Sequence, residues 1–269
     1  MHMRILKSRF YYFIVFVVLA WLLLFIPRAA DKSLGKVKDV VDGDTIELYD
    51  GRIVRFIGVD SPRVNVQQEG RWLFFPEPFA VEAREFNKKL LLGKSVRLEF
   101  DAEEKDQYGR LLAYCYVRAE GNKKETFVNK AMIAEGYAYA LAGSVNHKHA
   151  DELFLAQQQA QQEKKNIWKD QATISPREAR RFINEKKIVE GKVAAVDKTR
   201  RAIHLKFHRR SKSYLQIVIF RESLVHFYRN NIDPNAFYIG KKVRVFGRIR
   251  EYSGPEIVVT HPFQIELVE

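Results

Sequence analysis

The stretch Val41-Asp42-Gly43-Asp44-Thr45 puts two carboxylates on either side of a glycine. A further acidic position follows in Arg55-Phe56-Ile57-Gly58-Val59-Asp60-Ser61-Pro62. Carboxylates at the ends of neighbouring apolar segments repel one another unless positive charge lies between them. A bound cation meets that need, and donors that are all oxygen favour a hard ion such as Ca²⁺. Two arginines stand in unusual settings: Arg55 interrupts the apolar run Ile53-Val54-Arg55-Phe56-Ile57, and Arg110 follows the turn-like Gln107-Tyr108-Gly109. A guanidinium fork grips two phosphate oxygens at once. Taken singly, Asp44 also reads as a turn residue and Asp60 as a strand-end cap. Arg55 likewise reads as a solvated strand position and Arg110 as a loop charge.

The whole chain is basic, with 46 Lys and Arg against 33 Asp and Glu and a formal net charge of +13. Such an excess favours a polyanionic partner, either nucleic acid or an anionic membrane surface. The single cysteine, Cys115, excludes an internal disulfide and any cysteine-based metal site. It lies in the apolar run Leu111-Leu112-Ala113-Tyr114-Cys115-Tyr116-Val117 and reads as a small buried hydrophobe. His147 and His149, one residue apart with no third ligand near in sequence, read as surface residues.

Several elements must position the charged groups. Residues 1–9 form a basic flank to an uncharged run at 10–26 that lacks glycine and proline. As a helix this run would span roughly 25 Å, which reads as a membrane anchor over 10–27 that sends the rest of the chain to the extracytoplasmic side. A cleaved signal segment, with secretion, is the competing reading. Beyond it, alternating or short apolar runs at 36–41, 45–49, 53–59, 95–100 and 111–117 predict strands, and Asp50-Gly51 predicts a hairpin turn. Helical spacing predicts helices over 79–92, 125–136 and 150–164. A long loop at 64–78 carries Trp72-Leu73-Phe74-Phe75, expected to anchor it to the core. Five short strands with three helices make an α+β, mainly β domain built on an OB-type barrel.

From about residue 35 to 168 the chain resembles the staphylococcal nuclease (thermonuclease) family. The residues carrying the likeness are Asp42-Gly43-Asp44-Thr45, the run Arg55 through Pro62, Asp106-Gln107-Tyr108-Gly109-Arg110-Leu111-Leu112-Ala113-Tyr114, the stretch 129–136, and Asn166-Ile167-Trp168. The resemblance implies Ca²⁺-dependent hydrolysis of DNA or RNA, by this family's pattern leaving 3′-phosphates. It implies metal ligation by Asp44 and Asp60 and by the Ser61 carbonyl. Arg55 and Arg110 are then expected on the scissile phosphate, with the Tyr108 hydroxyl on a phosphate oxygen. One position departs from the family: Arg63 stands where a glutamate normally activates the attacking water, and an arginine accepts no proton at neutral pH. Glu69 and Glu77 are the carboxylates expected to reach back in its place. If neither does, the chain becomes a nucleic-acid-binding protein on a nuclease scaffold.

The C-terminal third repeats a β pattern. Residues 169–187 read as a polar linker followed by a short basic helix opened by Ser175-Pro176-Arg177-Glu178. Strand-like runs at 189–196, 202–207, 215–220, 242–249 and 256–260, with a helical turn at 223–228, predict a second small OB-type barrel over 188–269. Arg200, Arg201, Arg209, Arg210 and Lys212 cluster in two turn-like spots where they are expected to contact nucleic-acid phosphates.

Overall fold

Strand alternation decides the first sheet. Val37 and Val40 of β1 (Leu34–Asp42), Ile46 and Leu48 of β2 (Thr45–Leu48), and Val54 and Phe56 of β3 (Ile53–Phe56) are all buried. Register shifts between Val37 and Asp39 and between Val40 and Asp42 let β1 turn inward twice at a spacing of three. The computed structural model describes residues 31–68, 71–118, 124–143 and 145–268. The expected anchor at 10–27, its basic flank and Glu69 lie outside the described residues. Among those described, no helix is long and apolar enough to cross a membrane.

After β3 come β4 (Val59–Asp60), β5 (Asn65–Gln68), β6 (Arg71–Phe74), α1 (Ala80–Leu91), β7 (Ser95–Glu99) and β8 (Leu111–Arg118). They are followed by β9 (Glu125–Phe127), α2 (Val128–Ala134), β10 (Tyr139–Ala140) and α3 (Ala150–Gln162). Strands pair in the order β3-β2-β1-β7-β8, and parallel pairing of β3 with β8 closes the ring. This is the expected five-stranded barrel with three helices. Cys115 sits in its core without a disulfide, and burial pushes its thiol up.

Three expectations need correction here. The second helix begins at Val128 rather than 125, because Glu125, Thr126 and Phe127 extend the sheet against β8. The loop at 64–78 folds as a two-stranded hairpin, β5 with β6. Its Leu73, Phe74 and Phe75 are exposed rather than anchored in the core. His147 and His149 are half-buried, not surface residues. The His149 ring packs edge-on against Tyr114 at 4.5 Å, and its Nε2 lies 3.2 Å from Glu99 Oε1, so the apolar ring face is used inside and the polar edge outside.

The C-terminal part comprises β11 (Thr173–Ile174), β12 (Lys186–Lys192), β13 (Ala195–Lys198), β14 (Ala202–Lys206), β15 (Gln216–Phe220), α4 (Leu224–Arg229), α5 (Pro234–Phe237), β16 (Lys242–Glu251), β17 (Pro255–Val258) and β18 (Ile265–Leu267). Its sheet runs β11-β12-β16-β17-β15-β14-β13, with β18 beside β16. Strands β12 and β13 lie towards opposite ends of this path, yet only Val193 and Ala194 separate them in the chain. The expected basic helix up to 187 is not formed. Ser175 and Glu178 do make the anticipated contact, Ser175 Oγ donating to Glu178 Oε2 at 2.7 Å, but only a 3-10 turn, Ala179–Phe182, follows. Pairing wins over local propensity: Asn184 N donates to Ile249 O at 2.8 Å, and Lys186 through Lys192 enter the ladder with β16.

Ser33–Glu269 form one compact unit. Trp168, Ile167 and Ala160 pack with Phe246, and Tyr139 stacks on Phe246 at 5.1 Å. A polar clasp lies farther along α3. His261 stacks on Phe154 at 4.5 Å, its Nε2 lies 2.7 Å from Asp151 Oδ1, and its Nδ1 accepts from Phe263 N at 3.3 Å. This is neutral imidazole, and burial holds His261 down to about 4. Burial also lowers His226, whose ring lies 5.4 Å from that of His261. The unfolded chain therefore takes up protons below roughly pH 6.5 that the folded chain refuses. Stability should fall as pH drops from about 6.5 towards 4. His261→Asn should lower Tm by several degrees at pH 7 and flatten its fall towards pH 4.5, measured by thermal unfolding across that range. Parallel curves for the two proteins would remove His261 from the linkage.

Candidate active site

The turn joining β1 to β2 is held so tightly that its central residue can carry no side chain. A Cβ on Gly43 would come within 2.8 Å of Ser61 Cβ and 3.1 Å of Ala83 Cβ. The buried Asn87 on α1 secures the same turn by donating from Nδ2 to Gly43 O at 3.1 Å and to Asp42 O at 3.3 Å. Asp44 is thereby driven inside, fully buried. Its Oδ1 accepts from Arg55 Nη1 at 2.8 Å and from Thr45 Oγ1 at 2.9 Å, and its Oδ2 accepts from the Ser61 N–H at 2.9 Å. Arg55 stands opposite Thr45 across β2 and β3, so the hairpin register alone brings the guanidinium beside the carboxylate.

Asp60 ends β4, which β10 pins through the Tyr139–Asp60 pair. Its Oδ1 lies 3.9 Å from Arg55 Nη2, so Arg55 spans the two carboxylates expected to act together. Asp60 Oδ2 accepts from Lys186 Nζ of β12 at 2.7 Å, a contact from the C-terminal sheet that no motif announced. Burial acts to raise the Asp60 carboxyl, yet Lys186, Arg55 and Arg63 together leave it below its ordinary value.

Arg110 arrives by barrel closure. Val54 of β3 pairs with Leu111 and Arg55 with Leu112, which sets Arg110 at the start of β8 beside the Arg55 strand. The turn before it places Gly109 at φ 79°, in the left-handed region that suits glycine. Asp106 holds the turn, accepting from Tyr108 N at 2.9 Å and from Arg110 Nε at 2.7 Å. Tyr108 stands exposed with the Arg110 guanidinium 5.4 Å from its ring, free to meet a ligand.

Arg63 lies at the rim, its Nη1 3.7 Å from Asp42 Oδ2. Glu77, one of the two carboxylates expected to reach back, is hydrogen-bonded to the Arg63 main chain: its Oε2 accepts from Arg63 N at 2.8 Å, and Glu77 N donates to Arg63 O at 2.9 Å. Glu77, Tyr139, Lys186 and Arg248 line one cleft of about 400 Å³. Arg200, Arg201, Arg209, Arg210 and Lys212 are exposed in the two C-terminal turns, and among the described residues none of them hydrogen-bonds or ion-pairs with this cluster. Sequence reasoning missed Asn87, Asp106 and Lys186 as site residues. Asp106 lies inside a recognised motif and Asn87 inside the predicted helix at 79–92, whereas Lys186 lies in a stretch whose capping signal pointed to a helix.

The donors present are hard oxygens, and the buried Ser61 Oγ makes no hydrogen bond in this structure. Burial pushes the Asp42 carboxyl upward, and the neighbouring Asp44 charge adds to that effect. Among the described residues, no group of three or more His, Cys, Asp or Glu is arranged to hold a metal. A divalent cation bound as the resemblance implies would draw on Asp44, Asp60, the Ser61 carbonyl and water, an all-oxygen set that fits a hard ion.

A staphylococcal nuclease homologue model matches residues 53–170. The thermonuclease of Staphylococcus hyicus is 40% identical over 142 residues, covering 52% of this chain and 78% of that protein. The thermonuclease of Staphylococcus intermedius is 38% identical over 135 residues, 49% of this chain and 74% of the relative. Endonuclease YncB of Bacillus subtilis is 32% identical over 141 residues, 51% of this chain and 62% of the relative. On these identities and its closed five-stranded barrel, the chain belongs to the staphylococcal nuclease family.

Proposed function

We propose that this chain is a nuclease that hydrolyses phosphodiester bonds in DNA or RNA with Ca²⁺ as its cation. The observation that carries the reading is Arg55 lying within 4 Å of both Asp44 and Asp60, with Arg110 delivered alongside by the β3–β8 pairing. When bound by Asp44, Asp60 and the Ser61 carbonyl, Ca²⁺ would supply charge neutralisation and an oriented water. Arg55 and Arg110 hold non-bridging phosphate oxygens, where their fixed charge resists the build-up of negative charge in the transition state. Tyr108 donates its hydroxyl to a phosphate oxygen. Arg63 adds positive charge at the rim and takes no proton. Glu77, hydrogen-bonded to the Arg63 main chain, is the carboxylate available to accept one.

The C-terminal sheet is read as a second OB-type barrel, supported by the nearness in sequence of β12 and β13, which lie towards opposite ends of its strand path. Its exposed Arg200, Arg201, Arg209, Arg210 and Lys212 contact phosphates of the bound strand. The uncharged run at 10–26 behind a basic flank supports an anchor that holds the enzyme on the extracytoplasmic side. Fractionation should return the full chain with membranes, accessible to external protease.

Purified protein should degrade single-stranded DNA with Ca²⁺ and stop when the ion is chelated. Binding that persists without chelator-sensitive cleavage would leave only a nucleic-acid-binding role, the reading that the added cations Arg63 and Lys186 favour. Arg110→Ala should cut kcat by about 10²–10³-fold with Tm little changed, since Arg110 is half-exposed and tied only within its own turn. Unaltered turnover would refute the site. Glu77→Gln should slow cleavage by about 10²-fold or more if that carboxylate accepts the proton, read from single-turnover rates.

A further inference from the structure

The C-terminal sheet contributes a cation of its own to the nuclease centre. Lys186 is fixed at its main chain by the ladder with β16, where it faces Arg248. Its ammonium is fixed as well, donating to Asp60 Oδ2 at 2.7 Å and lying 3.7 Å from the centre of the Tyr139 ring. That ring is itself immobilised, opposite Asp60 across β10 and β4 and stacked on Phe246 of β16. The Lys186 side chain is only 19% exposed. It is therefore an ordered neighbour of Asp60 rather than a flexible surface charge.

Asp60 has two oxygens. One faces Arg55, and the other is taken by Lys186. A divalent ion ligated by the second oxygen would stand within a few ångströms of the ammonium, where a double and a single positive charge repel even in a polar site. The two therefore compete for that oxygen. We infer that Lys186 is a built-in competitor for the divalent cation, through which the C-terminal sheet sets the cation affinity of the nuclease centre. This rests on the reading of Asp60 as a cation ligand. Lys186 is thus a positioning residue: it acts on the reaction through Asp60. Cation loading must move the ammonium off Asp60, and the pairing of β12 with β16 limits how far it can go.

The test is cation affinity, measured without substrate on the full-length chain in detergent by Ca²⁺ calorimetry and by Tb³⁺ luminescence. Lys186→Met keeps the length and apolar character of the stem, and should bind Ca²⁺ at least about tenfold more tightly than wild type. Lys186→Arg, which retains the charge, should bind no more tightly than wild type. Lys186→Gln serves as a second neutral variant should the methionine protein misfold, with thermal unfolding checking each. Asp60→Asn should abolish binding in either background. If Asp60→Asn abolishes binding while both neutral variants bind as wild type or more weakly, the competitor role is overturned and the cation reading of Asp60 stands. Binding that survives Asp60→Asn would overturn that reading, and the competitor role with it.

Discussion

The buried pair of Asp44 and Arg55 is the constraint on which the structure depends. A carboxylate taken fully out of water costs several kcal/mol unless its oxygens are occupied by charge and by hydrogen-bond donors. Asp44 meets that demand through Arg55, Thr45 and the Ser61 amide, each from a different stretch of chain. The first hairpin, the β2–β3 register and the end of β4 are thereby tied to one atom group. Removing either partner leaves a buried charge uncompensated, so Asp44 and Arg55 serve fold and chemistry together. Their loss would report on stability at least as much as on catalysis. Arg110 is different, because its partners lie within its own turn and its substitution separates chemistry from folding.

What was legible in the sequence follows from the range of the interactions. The Asp50-Gly51 hairpin, the inward alternation of β2 and β3, and the stop of α1 near Gly93 are decided within a few residues, and each is where the pattern put it. The same holds for Asp44, Arg55, Asp60 and Arg110, which the barrel brings together. Beyond that range the local signals mislead. Ser175 and Glu178 make their capping contact, yet the chain leaves helical geometry because Asn184 and Lys186 find partners on β16, over sixty residues later. Lys186 meets Asp60 across 126 positions, a separation no spacing rule addresses. Phe74 and Phe75 looked like a core anchor by composition, and only the path of the β5–β6 hairpin leaves them in solvent.

The C-terminal sheet is joined to the barrel by packing of the kind found inside domains. Trp168, Phe246 and Tyr139 form one aromatic cluster, and His261 is sealed between Phe154 and Asp151. An interface of buried rings and a buried neutral imidazole favours one relative placement over a swinging linker. That is why a lysine of β12 can be held to within hydrogen-bonding distance of a carboxylate on β4, and why the sheet is part of the active-site architecture as well as a carrier of exposed basic turns.

Two cations border the centre: Arg63, where the resemblance implies a glutamate, and Lys186 on Asp60. Both push in one direction: they strengthen attraction for a phosphate and weaken attraction for a divalent ion. Fixed cations that touch a phosphate diester in its ground state hold substrate and transition state alike, and uniform binding of that kind tightens the complex without raising the rate. Acceleration must come from groups that respond to the charge developing at phosphorus and to the proton leaving water. On the proposed mechanism those groups are Arg55, Arg110 and the Glu77 carboxylate. On the same proposal the added cations would hold a nucleic-acid strand even when the divalent cation is scarce, and turnover would follow the occupancy of Asp60.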